Sequence, residues 1–453
     1  MLSKNKEYIV DIVDIGQGGV GIGKYDGFTV FVEGGLINDK VKVKINKSKK
    51  NYAVGDIVEI IEKSPFRVDR LCSDSLKDCG GCQIQELDYK KQLEIKTNEV
   101  KQVISRIGKL ENVTIYDTIG MEEPFRYRNK AQFPIQKING APAIGFYKKK
   151  SHDIIPTNKC IIQHDINDKI IQIIKTYINA YDVSIYDEKT HTGVLRHLVT
   201  KIGFTTGEVM VVLVANGKKL PYLNELASVL EENIPGFKTL VVNVNREKTN
   251  VILGKENRVI YGEGKINDYI GDLVFEISPL SFFQVNPVQT EVLYNKALEY
   301  AELKENDTVF DIYCGIGTIS LFLAQKATKV YGIEIVEAAI EDAKINARLN
   351  KLDNTEFYAG KAEEVVPKMY KEGKTANVVV VDPPRKGCDD KVLDTIVSMA
   401  PDRVVYVSCN PSTLARDLAY LDERGYKCIE IQPVDMFPHT MHVECVAKII
   451  KNK

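Results

Sequence analysis

The sequence predicts a multidomain protein: a small N-terminal β-barrel, an α+β centre and a C-terminal doubly wound α/β sheet. Three observations predict it. Short β-branched runs separated by glycines fill residues 7–63, strands and helices mix from about 121 to 275, and after residue 287 they alternate regularly. The length of 453 residues suits two to four domains at roughly 100–200 residues each. With 44% hydrophobic and 27% charged residues, the composition excludes wholesale disorder, collagen and a coiled-coil rod.

The barrel comes first. Tyr8–Ile12, Phe28–Glu33, Asp39–Ile45 and Ile57–Ile61 read as strands, with Gly16–Gly23 and Gly34–Gly35 as turns. About five short strands in so few residues predict an oligonucleotide-binding type of barrel over residues 1–66, although such a barrel can also exist without a ligand. Net charge is −1, from 61 Lys+Arg and 62 Asp+Glu, so any affinity for nucleic acid must come from a basic face. Lys40–Lys50 holds six lysines and no acid, a pattern that fits a solvated charged face equally well. Pro124–His152 holds seven basic residues and no acid. Within it, Phe125-Arg-Tyr-Arg-Asn-Lys-Ala-Gln-Phe133 interleaves rings with cations. This predicts RNA contacts from Arg126, Arg128, Lys130 and Phe133, the ring stacking on a base and the cations taking phosphates.

Residues 64–92 read as a cysteine-rich loop. Nine cysteines without a disulfide-type context point to metal or catalytic thiols in a reducing cytoplasm. Met1–Glu7 lacks the apolar segment of a secretion signal, and no run of about 18 apolar residues predicts a membrane span. Cys72-x6-Cys79-x2-Cys82, with Cys160 downstream, makes four thiols that could hold zinc or an iron–sulfur cluster. Cys314, Cys388, Cys428 and Cys445 read as packing residues. Leu93–Leu110 has a helical apolar stripe, expected within a segment 93–120 that packs on the C-terminal domain. Residues 67–92 and 121–275 are expected to form the central domain, with helices at Ile166–Tyr181 and Tyr222–Ile234.

The C-terminal domain, 276–453, is predicted from strands at Thr308–Tyr313, Lys329–Ile335, Thr355–Ala359, Asn377–Val381, Arg403–Ser408, Cys428–Pro433 and His442–Ile449. No helix fits between the last two, so an antiparallel pair is expected at one edge. That is the Rossmann-like arrangement of S-adenosylmethionine (SAM) methyltransferases. In Phe310-Asp-Ile-Tyr-Cys-Gly-Ile-Gly-Thr318, Gly315 and Gly317 let backbone approach a ligand at a helix N-terminus. Glu334 ends the next strand, where a carboxylate can accept from ribose hydroxyls. Asp382-Pro-Pro-Arg385 is a stiff loop carrying Asp382 toward the same crevice.

Cys409 follows the fifth strand, ahead of a helix capped by Asn410 or Ser412, a placement that predicts an exposed thiol with a lowered pKa and a nucleophilic role. Glu444, between Val443 and Val446, predicts a carboxyl whose pKa is raised. Thiolate, carboxylate and SAM together imply one reaction. Carbon 5 of uracil is a poor nucleophile until a thiolate adds to carbon 6; a base must then remove the carbon-5 proton.

Ser281-Phe-Phe-Gln-Val-Asn286, Asp311-Ile-Tyr-Cys-Gly-Ile-Gly-Thr318, Asp382-Pro-Pro-Arg-Lys-Gly387, Ser408-Cys-Asn-Pro411 and His442-Val-Glu444 carry a resemblance that covers essentially the whole chain. The sequence resembles the RNA uracil-5-methyltransferases, specifically the bacterial 23S rRNA subfamily with a TRAM domain and an iron–sulfur cluster. The resemblance implies that the barrel is the TRAM, an RNA-binding module, and that Cys72, Cys79, Cys82 and Cys160 ligate a 4Fe-4S cluster in the central domain. It also implies SAM contacts from Gln284, Tyr313, Glu334 and Asp382, with Cys409 as nucleophile and Glu444 as base. RNA is the implied partner, 23S rRNA first and the tRNA T-loop second, with no obligate protein partner. One departure is visible: the family usually has five residues between the first two cluster cysteines, and this chain has six.

Overall fold

The computed structural model describes residues 2–73, 78–217 and 219–452; positions 74–77, inside the loop expected over 64–92, lie outside them, as do residue 218 and the two terminal positions. Five strands close the N-terminal barrel: β1 (Glu7–Gly16), β2 (Val20–Tyr25), β3 (Phe28–Glu33), β4 (Lys40–Ser48) and β5 (Tyr52–Glu62), in the order β1-β2-β3-β5-β4. Val10, Ile12, Val30, Val32, Val41, Val43 and Ile45 alternate inward and fill it. The expected Gly16–Gly23 turn is shorter, because Val20–Tyr25 is itself a strand. Its glycines serve close approach: a Cβ on Gly23 would sit 2.2 Å from Val10 Cγ1 and 2.8 Å from the Asp11 carbonyl. The lysines of β4 face solvent, and Lys40 and Lys42 pair with Glu62 and Glu59 of β5 at 3.1 and 2.9 Å.

Helix α1 (Tyr89–Val103) starts on an Asp88 cap and runs into a π-helical turn, Ile104–Gly108. Val100 and Ile104 are buried in the C-terminal core, and β6 (Thr114–Ile115) joins the outer edge of its sheet. The central domain follows with β7 (Lys130–Ile138), β8 (Ala141–Tyr147), β9 (Ile154–Pro156), α2 (Ile166–Ala180), β10 (Leu195–Ile202), β11 (Val209–Ala215), α3 (Leu223–Asn233), β12 (Phe237–Val244) and β13 (Glu256–Tyr261). These strands make one sheet, β13-β12-β11-β10-β7-β8-β9, covered by α2 and α3.

The hairpin of β14 (Ile266–Ile270) and β15 (Leu273–Ile277) lies between the expected domains: Phe275 and Ile277 pack in one core with Leu293, Tyr294 and Phe322, and with Met210 and Val212 of the central sheet. Then come α4 (Pro287–Ala301), β16 (Thr308–Ile312), α5 (Thr318–Ala324), β17 (Lys329–Glu334), α6 (Glu337–Leu349), β18 (Thr355–Ala359), α7 (Ala362–Lys371), β19 (Val378–Val381), α8 (Asp390–Met399), β20 (Arg403–Ser408), α9 (Pro411–Asp422), β21 (Tyr426–Val434) and β22 (Glu444–Lys451). The sheet order is β18-β17-β16-β19-β20-β22-β21-β6, parallel except around β22. Val378–Val381 is buried throughout, as a central parallel strand requires. The order reverses at β16, which opens a crevice above the strand ends there.

Candidate active site

Five strand ends meet at this crevice. After β16, Tyr313 takes a left-handed conformation (φ +73°), and its N–H and that of Cys314 both reach the Ile333 carbonyl, at 2.8 and 3.0 Å. Such a conformation costs a tyrosine about 1–3 kcal/mol and persists where the surroundings impose it. Gly315 (φ +56°) and Gly317 (φ +83°) complete the turn into α5, and the Gly315 site is open, with nothing where a Cβ would project. Glu334, at the end of β17, accepts from Gly315 N at 3.3 Å and Val336 N at 2.9 Å. Gln284 is buried, its carbonyl held by the Asn129 side chain at 2.9 Å.

Asp382 follows β19, its N–H directed to the Ile312 carbonyl at 3.3 Å. Burial, with the nearby Asp311 charge, pushes its carboxyl up to about 7. Asp311 is itself raised to about 7 by burial and bonds Ser320 through one oxygen, while the other is buried without a partner. The loop Pro383–Gly387 is fastened to α9: Asn410 Nδ2 and Thr413 Oγ1 donate to the Arg385 carbonyl at 3.0 and 3.3 Å, and Arg416 to that of Lys386 at 3.0 Å.

Cys409 sits between β20 and α9, with Asn410 capping the helix through Ser412 N at 3.1 Å. The thiol is half-buried, and its pKa is raised to about 11, against the lowered value expected. Burial is the main cause; the charges of Glu444 and Asp382 add to it, and Arg385 opposes it. A helix N-terminus favours thiolate modestly, and here a dry, acid-lined crevice outweighs it. Glu444 meets its expectation: burial and Asp382 raise it to about 8, with Arg385 again opposing. His442 is exposed, whereas His439 is buried against Phe125. Cys314, Cys388, Cys428 and Cys445 are buried packing residues, as expected.

The predicted RNA contacts divide. Phe133 is a correction: it is 1% exposed and packs on Phe146 in the central core, so it cannot stack on a base. Ala131, Phe133 and Ile135 are the inward positions of β7. Arg126 is committed to the carbonyls of Cys160 and Gln163, at 2.6 and 3.2 Å. Arg128 lies over the rings of Tyr127 and Phe437 and lines a cavity of about 210 Å³. Lys130 borders the same cavity and stands 6.0 Å from the ring of Phe282, which is 61% exposed.

Cys72, Cys79, Cys82 and Cys160 all line that cavity, alongside Arg70. Burial raises the thiols of Cys79, Cys82 and Cys160, and negative charge at Cys72 would raise each further. Among the described residues, no three His, Cys, Asp or Glu side chains converge closely enough to hold a metal ion.

Sequence reading missed the residues beneath the site. Lys96 of α1 pairs with Asp435 at 2.5 Å, both side chains fully buried, and Tyr89 donates to the same carboxylate at 2.9 Å. Lys96 stands three residues beyond Leu93 on the apolar stripe, a signal of a buried cation seeking a partner. Lys201, lowered to about 7 by burial, donates to the carbonyls of Ser278 and Ser281 at 2.7 and 2.8 Å and so fixes the loop before Gln284.

The profile of the tRNA (uracil-5-)-methyltransferase family matches residues 88–452, and that of the TRAM domain residues 3–58. This chain belongs to the tRNA (uracil-5-)-methyltransferase family. It is an enzyme of the SAM-dependent RNA (uracil-5-)-methyltransferase class, with an N-terminal TRAM barrel. An RNA methyltransferase of Clostridium tetani is 53% identical across 98% of this chain and 96% of its own length. One from Halalkalibacterium halodurans is 50% identical across 100% and 98%. Among solved structures, the tRNA (uracil-54, C5)-methyltransferase of Pyrococcus abyssi, in complex with S-adenosyl-L-homocysteine, superposes with a TM-score of 0.78 at 29% identity, covering 97% of this chain and 100% of that one. No helix among the described residues is long and apolar enough to cross a membrane.

Proposed function

We propose that this enzyme methylates carbon 5 of a uridine in 23S rRNA, with Cys409 as nucleophile and Glu444 as base. The observation that carries the reading is the placing of Cys409 just after β20 and Glu444 at the start of β22, where Glu444 and Asp382 both act on the thiol. When bound, SAM supplies an electrophilic methyl group on its sulfonium. Tyr313, Gly315, Gly317, Glu334, Asp382 and Gln284 are the residues that would hold it.

Cys409 loses its proton to solvent, and the thiolate sulfur bonds to carbon 6 of the ring as the carbon 5–carbon 6 π electrons move onto carbon 5. Carbon 5 then takes the methyl carbon as the carbon–sulfonium bond breaks. Glu444 removes the carbon-5 proton, the carbon 6–sulfur bond breaks, and the Cys409 thiolate returns. A carboxyl raised to about 8 holds such a proton well once it has taken it. Asp382, raised to about 7 by burial and by Asp311, adds no negative charge beside the thiolate while it is protonated.

We read the cysteine cavity as the site of a 4Fe-4S cluster held by Cys72, Cys79, Cys82 and Cys160. All four thiols line one cavity of about 210 Å³, one for each iron of such a cluster. Anaerobically purified protein should be brown and carry about four irons; a colourless zinc protein would overturn the reading.

A second target reading, the tRNA T-loop, is favoured by the name and fold of the Pyrococcus abyssi neighbour. Mapping 5-methyluridine in RNA from a deletion strain decides between them: loss from 23S rRNA supports the first reading, loss from tRNA the second. The enzyme is expected in the cytoplasm, where these RNAs are made. The mechanism is tested with RNA containing 5-fluorouridine, because fluorine cannot leave as a proton does; a denaturant-stable adduct on Cys409 should persist, and its absence would remove the nucleophile.

A further inference from the structure

The chain from Asp435 to His439 has no regular secondary structure, yet five consecutive carbonyls in it are received by donors from elsewhere. Gln289 Nε2 donates to Asp435 O at 3.2 Å, Asn286 Nδ2 to Met436 O at 3.0 Å, and Lys96 Nζ to Phe437 O at 3.2 Å. Tyr127 Oη donates to Pro438 O at 3.1 Å, and the N–H groups of Gln83 and Ile84 to His439 O at 3.0 and 3.1 Å. Those last two residues directly follow Cys82. Five positions beyond His439 stands Glu444.

His439 is the joint of this arrangement. Its backbone is left-handed (φ +68°), which histidine adopts at a cost, and its ring is stacked on Phe125 at 4.9 Å. Gln92 of α1 engages it twice: Oε1 accepts the His439 N–H at 3.0 Å, and Nε2 faces ring Nδ1 at 3.3 Å while donating to the Leu87 carbonyl at 2.8 Å. Because Oε1 takes an N–H, the amide orientation is settled. Ring Nδ1 must then be an acceptor, and the imidazole is held in one neutral tautomer. Ile84, Leu87 and Ile95 share a small buried cluster with Met441 and with Ile15 and Leu36 of the barrel.

We propose that His439 is a positioning residue for Glu444: with Gln92 it keys the Cys79–Leu87 loop and α1 onto the segment that delivers the base, so the placement of the base depends on the cysteine-bearing turn. The proposal rests on the reading of Glu444 as base. Side chains that act at a reacting atom need such support, since a displacement of about 1 Å is enough to cost up to about a hundredfold in rate.

A displaced base slows the last step, not the addition to carbon 6, and this separates positioning from general damage. The full-length enzyme is assayed on uridine-containing RNA with SAM, comparing wild type, Glu444→Gln, His439→Gly, His439→Asn and Gln92→Leu. His439→Gly keeps the left-handed backbone and loses the ring; Gln92→Leu removes both hydrogen bonds at similar volume. Both should lower kcat by about tenfold or more, leave KM for RNA and SAM within about twofold, and accumulate a denaturant-stable protein–RNA adduct. His439→Asn, which tolerates the same backbone and offers an acceptor to Gln92, should restore most of kcat and remove the adduct. The proposal is overturned if Glu444→Gln accumulates adduct while His439→Gly and Gln92→Leu do not, or if their effect lies in KM alone. Should either variant fail to fold, the other decides the question on the same gel; should both fail, His439 is a folding residue and the proposal falls. If Glu444→Gln itself accumulates no adduct, the assignment of the base falls first and takes this proposal with it.

Discussion

Cys409 and Glu444 flank the last matched pair of the β20–β22 ladder. The β20–β22 pairing runs antiparallel and closes by matching Ser408 with Cys445, which leaves Cys409 and Glu444 as the next two positions. At the end of that ladder they lie close enough for the Glu444 charge to act on the thiol. Burial raises both groups, and charge on Glu444 raises the thiol further. Replacing the sulfur should therefore remove chemistry without removing binding. Cys409→Ala is expected to abolish transfer of a labelled methyl group while RNA affinity, measured by filter retention, stays within about threefold, because the barrel and the Lys130 region are untouched.

Arg385 lowers both members of this pair. A positive charge favours carboxylate and thiolate alike, so removing it must raise both groups. Arg385→Met is expected to shift the rising limb of the kcat/KM pH profile to higher pH, with the plateau rate recovered in alkaline buffer. A profile unmoved along the pH axis would mean that the guanidinium is too well solvated to matter.

Glu444 also leaves a signature in stability. Its carboxyl is raised to about 8 in the folded chain, so the native state binds this proton more tightly than the unfolded state does. Native stability contributed by the group is fully present below the ordinary carboxylate range and is lost as pH rises through that range toward 8. At about 1.4 kcal/mol per pH unit between the two values, a few kcal/mol are at stake. Glu444→Gln should unfold at a higher temperature than wild type at pH 8.5 and at nearly the same temperature at pH 4. Equal melting temperatures at both pH values would show that water reaches the carboxyl in the native state.

The fold was legible where pattern and burial coincide. Asn377–Val381 reads as a strand, and Val378–Val381 is one; Glu444 between valines reads as a raised carboxyl and is one. What escaped depends on neighbours distant in sequence. Gly21 and Gly23 look like turn residues until the barrel closes and shows that Val10, Asp11 and Gly35 occupy the space a side chain would need. Phe133 sits among cations in sequence, yet the two-residue period of β7 turns it inward with Ala131 and Ile135 and leaves Lys130 on the other face. Cys409 reads as a strand-end residue and is one, but its pKa is set by burial with Glu444 and Asp382, and no local rule brings those three together.

The barrel glycines make a prediction of their own. Gly23→Val would drive a side chain into Val10 Cγ1 and the Asp11 carbonyl, both nearer than any real contact, so β2 could not pair with β1 at its present register. The barrel meets the rest of the chain through Ile15 and Leu36, but the large cores hold none of its residues, so the other domains should stay folded while it opens. Limited proteolysis should release the first 60 or so residues, roughly the barrel length, and RNA affinity should fall. Intact barrel under protease would show that the strand can shift to make room.

The Lys96–Asp435 pair offers the sharpest separation of charge from packing. Both side chains are fully buried; burial lowers the lysine, and the aspartate at 2.5 Å opposes that shift. Removing one partner strands the other in a dry site, at a cost of about 3–5 kcal/mol, whereas replacing both with apolar residues is often nearly neutral. Lys96→Ala should therefore destabilise strongly, and Lys96→Met with Asp435→Leu should regain most of the loss. Recovery should stop short of wild type, because the Phe437 carbonyl loses its Lys96 donor and the Tyr89 hydroxyl loses its Asp435 acceptor. A double-mutant cycle by denaturant unfolding measures the coupling, and the turnover of the double variant adds a second reading. Stability regained without activity would show that the ion pair is retained for the placement of the Asp435–His439 segment; both regained together would leave it an ordinary buried pair.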